Sequence, residues 1–258
     1  MTAISLYAKP SATFAQKLEA SKALLLAAAA QYSPITQASS LGAEDMVVTH
    51  LIAETGIESS IFVLDTRMLH EETLALVGRL EDRYSRKVDI YQPEPLVAEQ
   101  FVATNGKDAM YKSLELRKAC CDFRKMVPLE RALAGKKAWI TGLRREQSNA
   151  RAEVHDIEQG AERAKINPLA DWTQGDIWHF IATNNIPYNP LHDEFFPSIG
   201  CAPCTRAVTL GEDFRSGRWW WEQESAKECG LHVADDHLAE EPPAFESLSR
   251  IKIKEIAA

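Results

Sequence analysis

The stretch ITQASSLGAEDMVVTHLIAET, Ile35–Thr55, decides the fold. Its opening, ITQASS, is β-prone and reads as a short strand that enters a loop at Ser39 and Ser40. The remainder, LGAEDMVVTHLIAET, continues that loop and becomes a helix. Strand, polar loop and helix follow one another within a single short stretch. The flanking segments must show whether the pattern repeats.

It does. SSIFVLDT, Ser59–Thr66, is a β-rich apolar run and predicts a buried strand. LHEETLALVGRLEDRY, Leu69–Tyr84, is helical, and KVDIYQP, Lys87–Pro93, is a further strand. After an intervening helical region, KKAWITGLR, Lys136–Arg144, gives a fourth strand. Upstream, Ala12–Tyr32 places Phe14, Leu18, Leu24, Leu25 and Ala28 near helical spacing. This alternation predicts an α/β chain, a parallel sheet with helices on both faces. Ligands of such sheets sit outside the carboxyl ends of the strands. The segments in that position, SSLGAED, LDTRMLHEET and TGLRREQSNAR, are polar or charged, which predicts one site built from three loops.

Farther along, Thr173 is expected to cap a helix that carries Ile177, Phe180 and Ile181 on one face and stops at Pro187. Patterning fades after Trp221, and from about Asp235 the chain is acidic and contains EEPPAFE. We expect one domain over residues 1–234 and a mobile C-terminal tail over 235–258. No internal repeat or low-complexity linker is evident.

The 258 residues are 45% hydrophobic and 26% charged, which suits a globular chain with a sizeable core. There is no apolar run of membrane-spanning length and no secretory pattern at the start, so a cytoplasmic protein without membrane contact is expected. Acidic residues outnumber basic ones 37 to 29, which argues against a nucleic-acid partner. A small anion is still compatible, because basic residues concentrate in GLRREQSNAR and GEDFRSGR. The sequence is silent on oligomeric state and leaves a homo-oligomer open.

Five cysteines are present: Cys120, Cys121, Cys201, Cys204 and Cys229. Adjacent Cys120 and Cys121 do not pair readily, since disulfide geometry is narrow. GCAPCT holds a C-x-x-C, a pattern shared by zinc sites, redox pairs and iron–sulfur ligands. Together these four thiols suit tetrahedral zinc or a four-iron cluster, with buried free cysteines as the plainer reading. Cys229, in KECGLH, stands apart as a candidate nucleophile or an inert surface thiol. His232 three residues later is a candidate to tune it or to bind a substrate, or a plain surface histidine. The run Trp219, Trp220 and Trp221 is read as buried core ahead of adenine stacking.

These stretches, with CCDFRKMVPLERAL, INPLADWTQGDIW, IPYNPLHDEFFPSIGCAPCT, GEDFRSGRWWWE and KECGLH, span about Ser39 to His232. In them the chain resembles the assimilatory sulfonucleotide reductases, closest to the iron–sulfur adenylyl-sulfate (APS) reductases. The resemblance implies the PP-loop fold of adenine-nucleotide alpha-hydrolases. It implies reduction of APS to sulfite and AMP with thioredoxin or a similar dithiol donor, in sulfate assimilation and cysteine biosynthesis. Members acting on the 3′-phosphorylated substrate (PAPS) mostly lack the cluster cysteines. By the same resemblance, Cys120, Cys121, Cys201 and Cys204 are the ligands of one [4Fe-4S] cluster. Cys229 is the catalytic thiol, and Ser39, Ser40, Leu64, Asp65, Lys125, Arg144, Arg151, Arg215, Arg218 and His232 bind substrate. One departure is visible: the family usually has glycine after Leu-Asp-Thr, and this chain has Arg67.

The residues themselves suit that chemistry. A thiolate attacks sulfate sulfur only if positive charge screens the oxygens. Lys125, Arg144, Arg145, Arg151, Arg215 and Arg218 are the candidate cations, and arginine forks match sulfate and phosphate. If CDFRK is helical, Lys125 lies near both cluster and substrate. Two competing readings are weighed beside this one. An adenylating PP-loop enzyme predicts a Gly-Gly-x-Asp-Ser loop and a basic RNA face, and a non-catalytic metal module leaves KECGLH unexplained.

Overall fold

The structure is a computed structural model that describes residues 1–148 and 151–222. Cys229, His232 and the tail over 235–258 therefore lie outside the described residues. Two helices open the chain, α1 (Ala3–Tyr7) and α2 (Phe14–Tyr32). Then come β1 (Ile35–Ser39), α3 (Ala43–Thr55), β2 (Ser60–Leu64), α4 (Glu71–Tyr84), β3 (Val88–Tyr91) and α5 (Pro95–Asn105). The second half runs α6 (Leu114–Cys121), α7 (Val127–Leu133), β4 (Ala138–Ile140), β5 (Ile157–Gln159), β6 (Ala164–Ile166) and α8 (Gln174–Thr183).

The strands form one sheet in the order β3-β2-β1-β4-β6-β5, parallel except for β5 against β6. The order reverses between β1 and β4, the switch point where such sheets leave a crevice. Side chains on β2 alternate by the strand period. Ile61 and Val63 join the core under α3 and α8, while Phe62 packs on the other face with Leu129, Leu133 and Trp139. Helices thus cover both faces. α3 is the most enclosed helix: Met46, Val47, Val48, Leu51 and Ile52 are all fully buried.

Three local expectations need correction. The sequence pointed to four strands, and the sheet of the described residues has six, because β5 and β6, IEQ and AKI, lack the apolar run that marks the equally short β4. Their antiparallel pairing also makes the sheet mostly rather than wholly parallel. α8 ends at Thr183, not at Pro187, because Asn184 already caps it and Asn185 turns left-handed with φ 49°. The expected cap at its start is present: Thr173 Oγ1 accepts from Asp176 N, and Asp176 accepts from Thr173 N.

Asp176 also accepts from Ser11 N and from Lys17, tying the N-terminal segment to α8. Burial pushes this carboxyl up. The hydrogen bonds from Thr173, Lys17 and Ser11 outweigh burial and hold its pKa at about 2. The segment Asp122–Met126 between α6 and α7 is a π-helical turn rather than α-helix. Such wide turns cluster at functional sites because they re-aim side chains.

Candidate active site

A cleft of about 210 Å³ opens at the carboxyl ends of β1, β2 and β4. The end of β1 supplies Ser39, the loop after it Ser40, and the first turn of α3 Glu44 and Asp45; Leu64 at the end of β2 and Thr66 just beyond it also line the cleft. The loop after β4 supplies Thr141, Gly142, Leu143, Gln147 and Arg151. All three loops expected to meet at one site do so. Gly142 is required there: a Cβ would lie 2.6 Å from Asp45 Oδ1 and 2.8 Å from Glu44 Cβ.

The loop after β1 is internally satisfied. Ser40 N and Oγ both donate to Asp45 Oδ2, at 2.7 and 2.5 Å, and Leu41 N donates to Ser39 Oγ at 3.2 Å. Burial pushes the Asp45 carboxyl up to about 6 against these donors. Glu44, the second carboxylate in the first turn of α3, is also driven up by burial, but the Arg144 guanidinium and Gln147 reverse the direction and hold it low. The positive end of α3 is thus already occupied by its own carboxylates. An anion in this cleft must find its counter-charge elsewhere.

Side-chain cations supply it. Arg151, Arg215 and Arg218 line the cleft and are each nine-tenths or more buried. Arg151 Nη1 donates to Gln147 Oε1 at 2.6 Å. Arg218 Nη1 donates to the Ile199 carbonyl at 3.2 Å. Gly200 makes room for that guanidinium, since a Cβ there would sit 2.4 Å from Arg218 Nη2.

Arg144 and Arg145 do not join them. Arg144 is buried under the loop, with Nε and Nη2 on Glu44 Oε1 at 3.0 and 2.8 Å and Nη1 on Glu146. Its reach to the cleft is indirect, through Glu44, then Gln147, then Arg151. Arg145 turns outward to Val154, Asp156 and Asp171. Asp65 is buried and accepts from Gln92 and from Arg67 N rather than lining the cleft. Arg67 itself takes φ 60°, so the position where the family has glycine keeps the left-handed backbone that glycine favours.

Beside the cleft lies a small cavity of about 10 Å³ lined by all four of Cys120, Cys121, Cys201 and Cys204. α6 brings the first two, and the turn Ala202–Cys204 with Cys201 at its N-cap brings the others. Arg117, Arg124, Lys125 and Trp219 complete its wall. Burial pushes the Cys204 thiol up to about 12, with Cys201 adding to it, and raises Cys120 against Arg124. Thr66 Oγ1 lies 3.2 Å from Cys201 Sγ. Among the described residues no three histidine, cysteine or acidic side chains converge on a single metal position. Lys125, Cys201 and Trp219 line both cavity and cleft, so the π-helical turn sets Lys125 where the two meet.

Residues 34–207 match the phosphoadenosine phosphosulfate reductase domain family. The chain belongs to that family. A relative from Burkholderia cepacia, named adenosine 5′-phosphosulfate reductase, is 49% identical over 85% of this chain and 88% of its own length. A phosphoadenylyl-sulfate (PAPS) reductase from Candida auris, solved as a phosphate complex, superposes with a TM-score of 0.62 at 24% identity. It covers 78% of this chain and 98% of the other. The FMN adenylyltransferase of Candida glabrata, with FAD and inorganic pyrophosphate, gives a TM-score of 0.53 at 16% identity, covering 88% of this chain and 81% of the other. This chain therefore shares the overall fold of these two structures, a mostly parallel sheet with helices.

Several lining residues of this reductase carry no local sequence signal. Gln147 lies in a loop expected at the site but is not a residue type that stands out there, and His192 faces the cleft from the short turn Pro190–Glu194. Trp219, read as core, is buried at 1% exposure and is also a wall of both spaces.

Proposed function

We propose that the cleft binds adenylyl sulfate and that the enzyme reduces it to sulfite and AMP. The observation that carries this is the placement of Lys125, Arg151, Arg215 and Arg218 around one cleft at the sheet switch point, next to a four-thiol cavity. Ser39, Ser40 and Leu64 line the nucleotide side, and the cations face the phosphosulfate. Arg144 and Asp65 act here by holding loops. The adenylating alternative needs loop N–H groups for a triphosphate, whereas those of Ser40 and Leu41 are already bonded within the loop.

The Cys229 thiolate attacks the sulfate sulfur, the bond from that sulfur to the bridging oxygen breaks, and AMP leaves with the electron pair. This yields S-sulfocysteine. A thiolate of thioredoxin or a similar dithiol carrier then attacks the Cys229 sulfur and expels sulfite. The carrier's second thiol resolves the mixed disulfide, so the dithiol supplies both electrons. His232 tunes the thiol or binds substrate.

The four thiols fit a [4Fe-4S] cluster: the donor set is soft, it comes from two elements around one cavity, and three cations stand by to offset thiolate charge. Bound there, it would supply local structure and a fixed charge next to Lys125. Reduced thiols and a cluster suit a cytoplasmic protein. The test is sulfite release from APS and from PAPS in parallel, with a reduced dithiol donor. Release from APS with PAPS at least about tenfold poorer supports the reading, and equal or reversed preference contradicts it.

A further inference from the structure

We infer that Gln147 is a positioning residue that sets the guanidinium of Arg151 in the cleft. The inference rests on the reading of this cleft as the site of the phosphosulfate. Gln147 ends the short turn Arg145–Gln147 after β4, lines the cleft and is 9% exposed. Both ends of its amide are in use. Nε2 donates to Glu44 Oε1 at 3.0 Å. Oε1 accepts from Arg151 Nη1 at 2.6 Å and from Arg144 N at 3.2 Å.

These partners fix which way the amide points. The Glu44 carboxyl is held low by the Arg144 guanidinium and Gln147, so it is ionised and offers only acceptors. Arg151 Nη1 and Arg144 N offer only donors. A reversed amide would turn oxygen toward carboxylate and nitrogen toward two donors, and all three bonds would be lost.

The same partners restrict the residue type. Glutamate at this position would set a second carboxylate against Glu44, and lysine would offer Arg151 no acceptor. A neutral amide of this length satisfies both sides. It also holds Arg151 through a bond that brings no negative charge to the guanidinium.

The far end of the contact is rigid. Glu44 sits in the first turn of α3, and its Oε1 also accepts from Arg144 Nε and Nη2 at 3.0 and 2.8 Å. The place of Arg151 Nη1 is thereby referred back, through Gln147 and Glu44, to the start of the most enclosed helix. An arginine carries a long, rotamer-rich arm, and fixing one nitrogen before the anion arrives lowers the ordering cost of binding.

The experiment is a double-mutant cycle on full-length, iron-loaded enzyme with APS and a reduced dithiol. Wild type, Gln147→Met, Arg151→Ala and the double variant are compared in KM, kcat and iron content. Arg151→Ala should raise KM for APS by about tenfold or more. Gln147→Met should raise it about three- to tenfold, with kcat and iron within about twofold of wild type. In the Arg151→Ala background, Gln147→Met should change KM by less than about twofold, because its effect passes through Arg151. An unchanged KM in Gln147→Met would overturn the inference. So would two effects that multiply in the double variant, which is what a merely structural role in the loop gives. If Gln147→Met does not fold, Gln147→Asn, which keeps the amide on an arm one methylene shorter, enters the same cycle with the same expected outcomes. Wild-type KM in Arg151→Ala would remove Arg151 from the anion site and overturn the reading of the cleft, and the inference with it. A raised KM in Arg151→Ala beside an unchanged one in the Gln147 variant overturns the positioning role alone.

Discussion

The cleft and the cysteine cavity share a wall at Lys125, Cys201 and Trp219, yet they handle charge in opposite ways. The cleft, at about 210 Å³, is open, its loop N–H groups are bonded within the loop, and buried arginines remain to meet an anion. The cavity, at about 10 Å³, is lined by four thiols, and burial opposes ionisation of two of them, Cys120 and Cys204. Arg124 and Lys125 in the same wall oppose that effect on Cys120. One space is open and walled by guanidinium groups, and the other is small and walled by thiols. Lys125 serves both.

Cys201 should break the comparison most severely, because it belongs to both spaces. Cys201→Ser should lower affinity for the metal group by at least about 100-fold and abolish turnover. Iron analysis showing full occupancy would remove Cys201 from the ligand set.

The arginines sharpen it. Arg218→Ala should raise KM for APS on the order of ten- to 100-fold, from a charged hydrogen bond worth about 1.5–3 kcal/mol, while leaving iron content intact. Gly200→Ala should reproduce that defect, because its Cβ takes the place of the Arg218 guanidinium. Arg144→Ala should behave differently. It leaves the partly buried Glu44 without its main partner, so a stability loss of about 1–3 kcal/mol is expected in denaturant titration, ahead of any change in KM. A large KM effect at wild-type stability would place Arg144 in the cleft after all.

The smallest effect concerns the scaffold away from both spaces. The Asp176 carboxyl is held below its unfolded value, so its contribution is full at neutral pH and is lost as pH falls from about 4 to about 2. A shift from 3.8 to about 2 corresponds to about 2 kcal/mol. Asp176→Asn should lower stability by that order at pH 7 and by little at pH 2. An equal loss at both would mean that shape, not charge, matters there.

The sheet was legible where strands are long enough to show a period: Ile35–Ser39, Ser60–Leu64 and Val88–Tyr91. β4 was legible despite its three residues because it is apolar and fully buried, whereas β5 and β6, IEQ and AKI, carry charged or polar residues and no apolar run. The meeting of the three loops followed from topology alone. Which arginine faces the cleft did not. Arg144 and Arg151 sit in one motif, and only the buried partner Glu44, 100 residues away in sequence, turns the first aside. The π-helical turn that places Lys125 was also invisible, because a helical stretch of DFRKM carries no signal that separates a π from an α turn.

The most direct test of the account is to mix full-length enzyme with labelled APS, without any thiol donor, and locate the product by mass spectrometry. The account predicts a sulfite adduct on Cys229 alone, release of AMP, and discharge of sulfite once reduced dithiol is added. An adduct on a cavity cysteine or on no residue, or continued turnover of Cys229→Ser, would contradict it.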